Sequence, residues 1–349
     1  MSQRIVAGLA AVPLVAVMWI VAALAPLPYV TYHPGPTVDV LGTEGGTPII
    51  EVSGHETYAD GGELRLTTIY VDDPEDRVGL LQLLADWWNP DAAVYPRSAV
   101  FADDATDESE EELSTIQMVS SQDAAVAAAL TQLGYDLPAT VHAFQVEPGM
   151  PADGKVQAGD RIVSVGWTDI AQPQDVADAV RSQPAGTSLE WVLERDDQEV
   201  RVEIASRDVD GVPRVGITPG PSFDFPFDVT INLGGGIGGP SAGLMFALGI
   251  YDVLTPGSLT QGSAIAGTGE ITVDGAVGPI GGAQQKVAAS RDQDMELFLV
   301  PHDNCSSLRG VDAGDMRVVP VKTLEDALDV IETWTDDNDA TLPTCEDAS

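Results

Sequence analysis

From Ile5 to Leu27 the chain runs for 23 residues without a charged side chain. As a helix this run is about 34 Å long at 1.5 Å per residue. The hydrocarbon core of a bilayer is ~30 Å thick, so the run predicts one membrane crossing. Arg4 is the sole charged residue among the first thirty. Basic residues favour the cytoplasmic side, which leaves Tyr29 and Tyr32 at the far interface, where amphipathic rings sit. A signal peptide cleaved after Ala23-Leu24-Ala25 is the rival reading, but Pro26 follows directly and is a poor fit for signal peptidase. Residues 1–30 are therefore expected to form a short cytoplasmic N-terminus and a single-pass anchor in the cell membrane. The body of the chain then lies on the extracytoplasmic side.

That body is strongly acidic. The chain holds 16 Lys and Arg against 55 Asp and Glu, a net charge of −39, and no acid falls within the first thirty residues. Nucleic acid is excluded as a partner, because phosphate binding needs a basic footprint. Repulsion from anionic lipid is expected to hold the body away from the bilayer. A hydrophobic fraction of 44% provides a real core beneath the acidic surface. Two cysteines are too few for a disulfide scaffold or a cysteine-rich zinc module, and neither a metal nor a cofactor is expected. In an oxidising compartment Cys305 and Cys345 can pair, closing a loop of about forty residues worth ~4 kcal/mol in the chain-entropy model.

Along the chain, Ile49–Val52 and Leu64–Val71 read as strands. The acidic cluster at 107–112 reads as a solvated turn or helix start, with no EF-hand spacing of ligands. Ala124–Leu133 is apolar at helical spacing, with Ser120, Ser121 and Asp123 as capping candidates. Residues 138–207 form a separate unit: strands at Val141–Val146 and after Gly159-Asp160, a helix at Pro173–Ser182, and a hairpin of Leu189–Glu194 with Val200–Ile204. Within it, Gly149-x4-Gly154-Lys155 approaches a phosphate-binding loop, but Val156 stands where the Mg²⁺-holding hydroxyl is needed.

Asp228–Leu233 reads as a strand, Gly234 to Gly239 as a glycine-rich loop and Leu244–Leu254 as a buried helix. Three chemistries compete for this segment. Gly234-x-Gly236-x-x-Gly239 fits a dinucleotide fingerprint, yet no second strand ending in an acid follows about twenty residues later. Gly239-x-Ser241-x-Gly243 fits a nucleophile elbow, which would need His302. The third pairs Ser241 with Lys286, which sits on a helix among Val287, Ala288 and Ala289. A lysine at its free pKa of ~10.4 cannot accept a proton, and burial in such surroundings lowers it. Ser241 at a helix start would have backbone N–H groups beside it for an oxyanion, supported by Gly238 and Gly239. Composition alone leaves the three open.

Two resemblances narrow the choice. The stretch "VEPGMPADGKVQAGDRIVSVG" resembles a PDZ domain, a module that binds extended peptide ends by β-strand addition. The segments "GGPSAGLMFAL" and "GTGEITVDGAVGPIGGAQQKVAAS" resemble the proteolytic domain of the Lon protease family. By that resemblance Ser241 is the nucleophile, Lys286 the general base, and Thr268 and Glu270 lie near the pair. "GELRLTTI" and "SSQDAAVAAALTQL" are similar to the family's opening strand and first helix. The arrangement resembles the membrane-anchored, PDZ-containing, ATP-independent branch, and no ATPase module is read in these residues. The implied fold is α+β: a single N-terminal transmembrane helix, a Lon-type proteolytic domain in two parts (36–135 and 208–335), an inserted β-rich PDZ domain (138–207) and an acidic tail (336–349). The implied function is endoproteolysis of unfolded or peptide-like substrates, with the PDZ unit recruiting C-terminal peptides or gating access. Homo-oligomers are implied as well. Cytoplasmic members usually carry an acid before GPSAG, where this chain has Gly238. An inactive PDZ scaffold, or a Ser–His esterase using His302, are the alternative functions.

Overall fold

The computed structural model describes residues 13, 15, 17, 25–58, 61–195 and 198–346. The expected membrane crossing falls almost wholly outside these residues. Among them, no helix is long and apolar enough to cross a membrane. The chain divides into two compact units, one made of residues up to 134 together with 227–349, the other of residues 135–226.

The first unit opens with β1 (Tyr29–Asp39), β2 (Ile50–Ser53) and β3 (Glu63–Val71). In β3 the sequence ELRLTTIYV alternates, and Leu64 and Leu66 are fully buried, as a half-covered strand requires. Next come α1 (Leu80–Trp88), which the sequence had not suggested, β4 (Ala93–Pro96) and α2 (Asp107–Gln132). The helix read over Ala124–Leu133 is only the last third of α2, and the acidic cluster is its first turns. The cap is therefore not at Ser120, Ser121 or Asp123 but at Thr106, whose hydroxyl accepts from the Ser109 N–H at 3.2 Å while the Ser109 hydroxyl accepts from the Thr106 N–H at 2.9 Å. Asp107, Glu108 and Glu110 in the first turn match the positive end of the helix dipole.

The second unit contains β5 (Ala139–Val146), β6 (Arg161–Val165), α3 (Pro173–Arg181), β7 (Ser188–Arg195), β8 (Gln198–Ala205) and β9 (Ile217–Phe223). Its main sheet runs β8-β7-β6-β5-β9 over a core that includes Trp191, Leu193, Ile162 and Ile204. The segment after 207, assigned by the sequence to the following domain, lies here instead, because β9 pairs antiparallel with β5 from Ile217↔Val146 to Phe223↔Ala139. Gly149 and Gly154 lie in turns with no helix after them, and the Lys155 amine donates to the Glu203 carbonyl at 2.7 Å. That is no phosphate loop. Asp160, almost fully buried, accepts two 2.6 Å hydrogen bonds from Arg195.

The chain then returns to the first unit through β10 (Asp228–Ile231), α4 (Gly243–Leu254), β11 (Ala264–Gly267), the short pair β12 (Glu270–Ile271) and β13 (Val277–Gly278), α5 (Ala283–Arg291), β14 (Leu297–Pro301), β15 (Arg317–Val321) and α6 (Leu324–Asp336). A six-stranded sheet results, ordered β15-β14-β11-β3-β1-β4. β3, β11, β14 and β15 are parallel neighbours, whereas β1 is antiparallel to both β3 and β4. α4 packs on α2, α6 and the sheet, and α5 covers β1 and β3. Cys305 and Cys345 are joined in a disulfide. The tail is less loose than its composition suggests, since Leu342 is also buried.

Candidate active site

β11 lies between two parallel neighbours, with Gly267 in register with Leu66 and Leu299. The site forms just beyond its C-terminal end, where an open α/β sheet offers a crevice. The Thr268 N–H donates to the Leu299 carbonyl at 3.0 Å, which prolongs the ladder by one residue.

The turn carrying Ser241 is tied to this strand end rather than to its own helix. The Ser241 carbonyl accepts from the Gly269 N–H at 2.9 Å and from the Thr268 hydroxyl at 3.0 Å, and the Leu244 N–H donates to the Gly269 carbonyl at 3.0 Å. On its other side the turn is held by α2. The Ser121 hydroxyl donates to the Pro240 carbonyl at 2.9 Å, and the Gly239 N–H donates to the Ser114 carbonyl at 3.1 Å. Of the two glycines expected to support the loop, Gly239 thus has its N–H engaged, while the N–H groups of Gly238 and Ser241 have no acceptor among the described residues.

Gly238 also explains the missing acid. Any side chain there would run into the Ser114 hydroxyl.

Lys286 reaches the same point from α5. The helix begins at Gly282, with φ +67°, where a Cβ would lie 2.7 Å from Ile69 Cδ1. Only glycine combines that backbone with that approach. One turn later the Lys286 amine lies 2.6 Å from Ser241 Oγ and 2.9 Å from Thr268 Oγ1. Lys286 is 2% exposed, and Thr268, Val287, Ala288 and Ala289 around it are buried too. Burial lowers the Lys286 pKa to about 7, and the Glu270 carboxylate offsets this only in part. Burial raises the pKa of Glu270, opposed by the charge of Lys286.

The residues singled out in the sequence thus separate by position. Ser241, Lys286 and Thr268 form one hydrogen-bonded cluster, and Glu270 influences it through charge without a hydrogen bond to the amine. His302 sits in a short 3-10 helix with its ring 3.3 Å from the Asp303 carboxylate, and among the described residues it makes no bond to Ser241. The esterase alternative lacks its base. Ser121 and Ser114 were not read as part of the site, since α2 enters it from more than a hundred residues away with no local motif.

Residues 229–333 match the family model of the Lon protease (S16) C-terminal proteolytic domain. The chain carries a Lon-type proteolytic domain. Lon protease 2 of Bacillus subtilis (strain 168) is 34% identical over 108 residues, covering 30% of this chain and 19% of that protein. Lon protease 1 of Syntrophobacter fumaroxidans is 34% identical over 121 residues, covering 34% of this chain and 14% of that protein. The chain therefore spans a fifth or less of the length of these curated relatives. Within the second unit, residues 145–195 match the model of a PDZ domain. A solved PDZ domain of an SdrC-like protein from Listeria monocytogenes is 25% identical, covers 23% of this chain and 85% of that chain, and has a TM-score of 0.22. Ser241 and Lys286 both fall within the Lon-type match.

Proposed function

We propose that this chain is a membrane-anchored, ATP-independent serine endopeptidase working outside the cytoplasm, with Ser241 as nucleophile and Lys286 as general base. The observation that carries this reading is a buried amine of pKa about 7 lying 2.6 Å from the Ser241 hydroxyl. At neutral pH a large share of that amine is uncharged and can accept a proton.

A count of protons supports the roles. The Thr268 hydroxyl gives its own proton to the Ser241 carbonyl, so toward Lys286 it can only accept. One N–H of the neutral amine is thereby held, and the lone pair is left for the proton of Ser241. The serine oxygen then attacks the peptide carbonyl, and the N–H groups of Ser241 and Gly238 hold the oxyanion. Protonated Lys286 passes its proton to the leaving amine. Water, activated in the same way, then releases the acyl group.

The disulfide between Cys305 and Cys345 supports an oxidising compartment, and the uncharged run from Ile5 to Leu27 supports the anchor. ATP is absent from such a compartment, so substrates are proteins or peptides already extended. The PDZ unit recruits their ends or gates their access. Self-association follows from the resemblance and is measured by sedimentation of the detergent-solubilised full chain.

Peptide cleavage by Ser241→Ala, Lys286→Met and His302→Ala tests the chemistry, with circular dichroism to check folding. Folded and inactive proteins are expected for the first two and full activity for the third. Activity surviving in Lys286→Met overturns the dyad. Retention of the full chain in the membrane pellet after alkaline carbonate extraction tests the anchor.

A further inference from the structure

We propose that α1 is a membrane-docking helix that presses one face of the first unit against the outer surface of the bilayer beside the anchor. Its sequence, LLQLLADWW, buries Leu83 and Asp86 and turns the other way Leu81 (62% exposed), Leu84 (38%), Trp87 (77%) and Trp88 (83%). Leu81, Leu84 and Trp88 recur at i, i+3 and i+7, so they form one stripe. Gln82 is the sole polar residue among the exposed positions of this helix. Single exposed apolar side chains are ordinary, but two adjacent tryptophans and two leucines on nine residues mark a contact surface.

What covers the stripe follows from where the chain comes from. Leu27, the end of the expected span, forms an antiparallel bridge with Val78, its N–H donating to the Val78 carbonyl at 3.0 Å, and α1 begins two residues after Val78. On its other side α1 packs against β4, and β4 pairs with the start of β1. Tyr29 and Tyr95, about two-fifths exposed, border the same point of entry. Tryptophan, tyrosine and leucine are the residues favoured where headgroups meet acyl chains. Whatever the run from Ile5 to Leu27 enters, α1 stands at its doorway.

Charge plays no attractive part. The loop before α1 carries Asp72, Asp73, Glu75 and Asp76 against a single cation, Arg77, so its net charge is negative and the contact is apolar burial against neutral lipid, little affected by salt and weakened by anionic lipid. The acidic body is held off the bilayer everywhere except at this uncharged stripe.

The proposal rests on the reading of residues 5–27 as a span, and tryptophan fluorescence separates the two. The full chain is placed in phosphatidylcholine nanodiscs with or without bromine on the acyl chains, near the headgroups to report the docking helix and near the bilayer midplane to report the span. The emission lost on replacing Trp87→Phe with Trp88→Phe reports the docking helix, and that lost on Trp19→Phe reports the span. Bromine is expected to quench both signals. Quenching of the Trp19 signal alone leaves the span in place and overturns the docking. Quenching of neither overturns both. A Trp87 and Trp88 signal unquenched by bromine yet shielded from aqueous iodide would mean that another protein surface, such as a second copy, covers the stripe, and this too overturns the proposal.

Discussion

The Ser121 hydroxyl donates a 2.9 Å hydrogen bond to the carbonyl of Pro240, and that carbonyl shares a peptide plane with the N–H of Ser241. In a trans peptide the two groups point in opposite directions, so Ser121 sets the direction in which the Ser241 N–H is offered to an oxyanion. Ser121 is a positioning residue. Ser121→Ala is expected to lower kcat by about tenfold, the equivalent of ~1.4 kcal/mol, with KM little changed. The pH at which activity appears should also stay fixed, because Ser121 does not touch the amine. A rise in KM with kcat unchanged would refute this assignment.

Lys286 links activity and stability to pH with opposite consequences for the variant. Its folded pKa of about 7 lies below the ordinary 10.5. Activity should therefore rise with a single ionisation near pH 7. Between pH 7 and 10.5 the unfolded chain binds more protons at this site than the folded one, so stability should climb with pH across that window. Lys286→Met should abolish cleavage and flatten the climb while leaving the protein at least as stable at pH 6. Denaturant unfolding of both proteins at several pH values measures it.

Thr268→Val keeps the shape and removes the hydroxyl. The ammonium form of Lys286 then loses an acceptor, so the amine should titrate lower and the acid limb of the pH profile should move to lower pH. At the same time kcat should fall, since the lone pair is no longer aimed. A profile displaced to higher pH would contradict the proton count given above.

In the PDZ unit, Asp160 is almost fully buried and gripped by Nε and Nη2 of Arg195. Burial alone would raise its pKa, but the hydrogen bonds from Arg195 and from the Gln157 N–H outweigh it and hold the pKa below the usual carboxylate value. The pair thus contributes stability above the unfolded carboxylate pKa and loses it as the pH falls through the folded one. Arg195→Met strands the carboxylate and should destabilise this unit by about 3–5 kcal/mol, read as a lowered unfolding midpoint. The Lon-type unit should keep its own midpoint.

The sequence made the site legible where chemistry is written in contiguous residues. Ser241 in its glycine loop and Lys286 among small apolar neighbours could be read from their flanks. Thr268 could be placed nearby, but the direction of its hydroxyl depends on a carbonyl 27 residues away. Ser121 looked like a helix cap, because an apolar stretch preceded by serines is what a helix start looks like. The true start lay at Thr106, masked by an acidic run that reads equally well as a turn. The end of the PDZ unit was set short at 207 because β9 is fixed by pairing with β5 some seventy residues earlier, a long-range choice with no local mark. α1 went unread because a nine-residue, mostly apolar stretch cut off by Asn89-Pro90 is too short to tell a helix from a buried strand.

The register of the central sheet bears on when the proposed activity can appear. Glu63 to Leu66 find their parallel partners in Ala264 to Gly267, two hundred residues later, and β14 must then close the other side of that strand. A ribosome that has delivered β3, α2 and the whole PDZ unit has made neither the nucleophile nor its base. Pairing so distant is slow to close. The proposed cutting power would therefore arrive only once α5 and β14 have followed the PDZ unit, which spares the nascent chain and its neighbours from a half-built site.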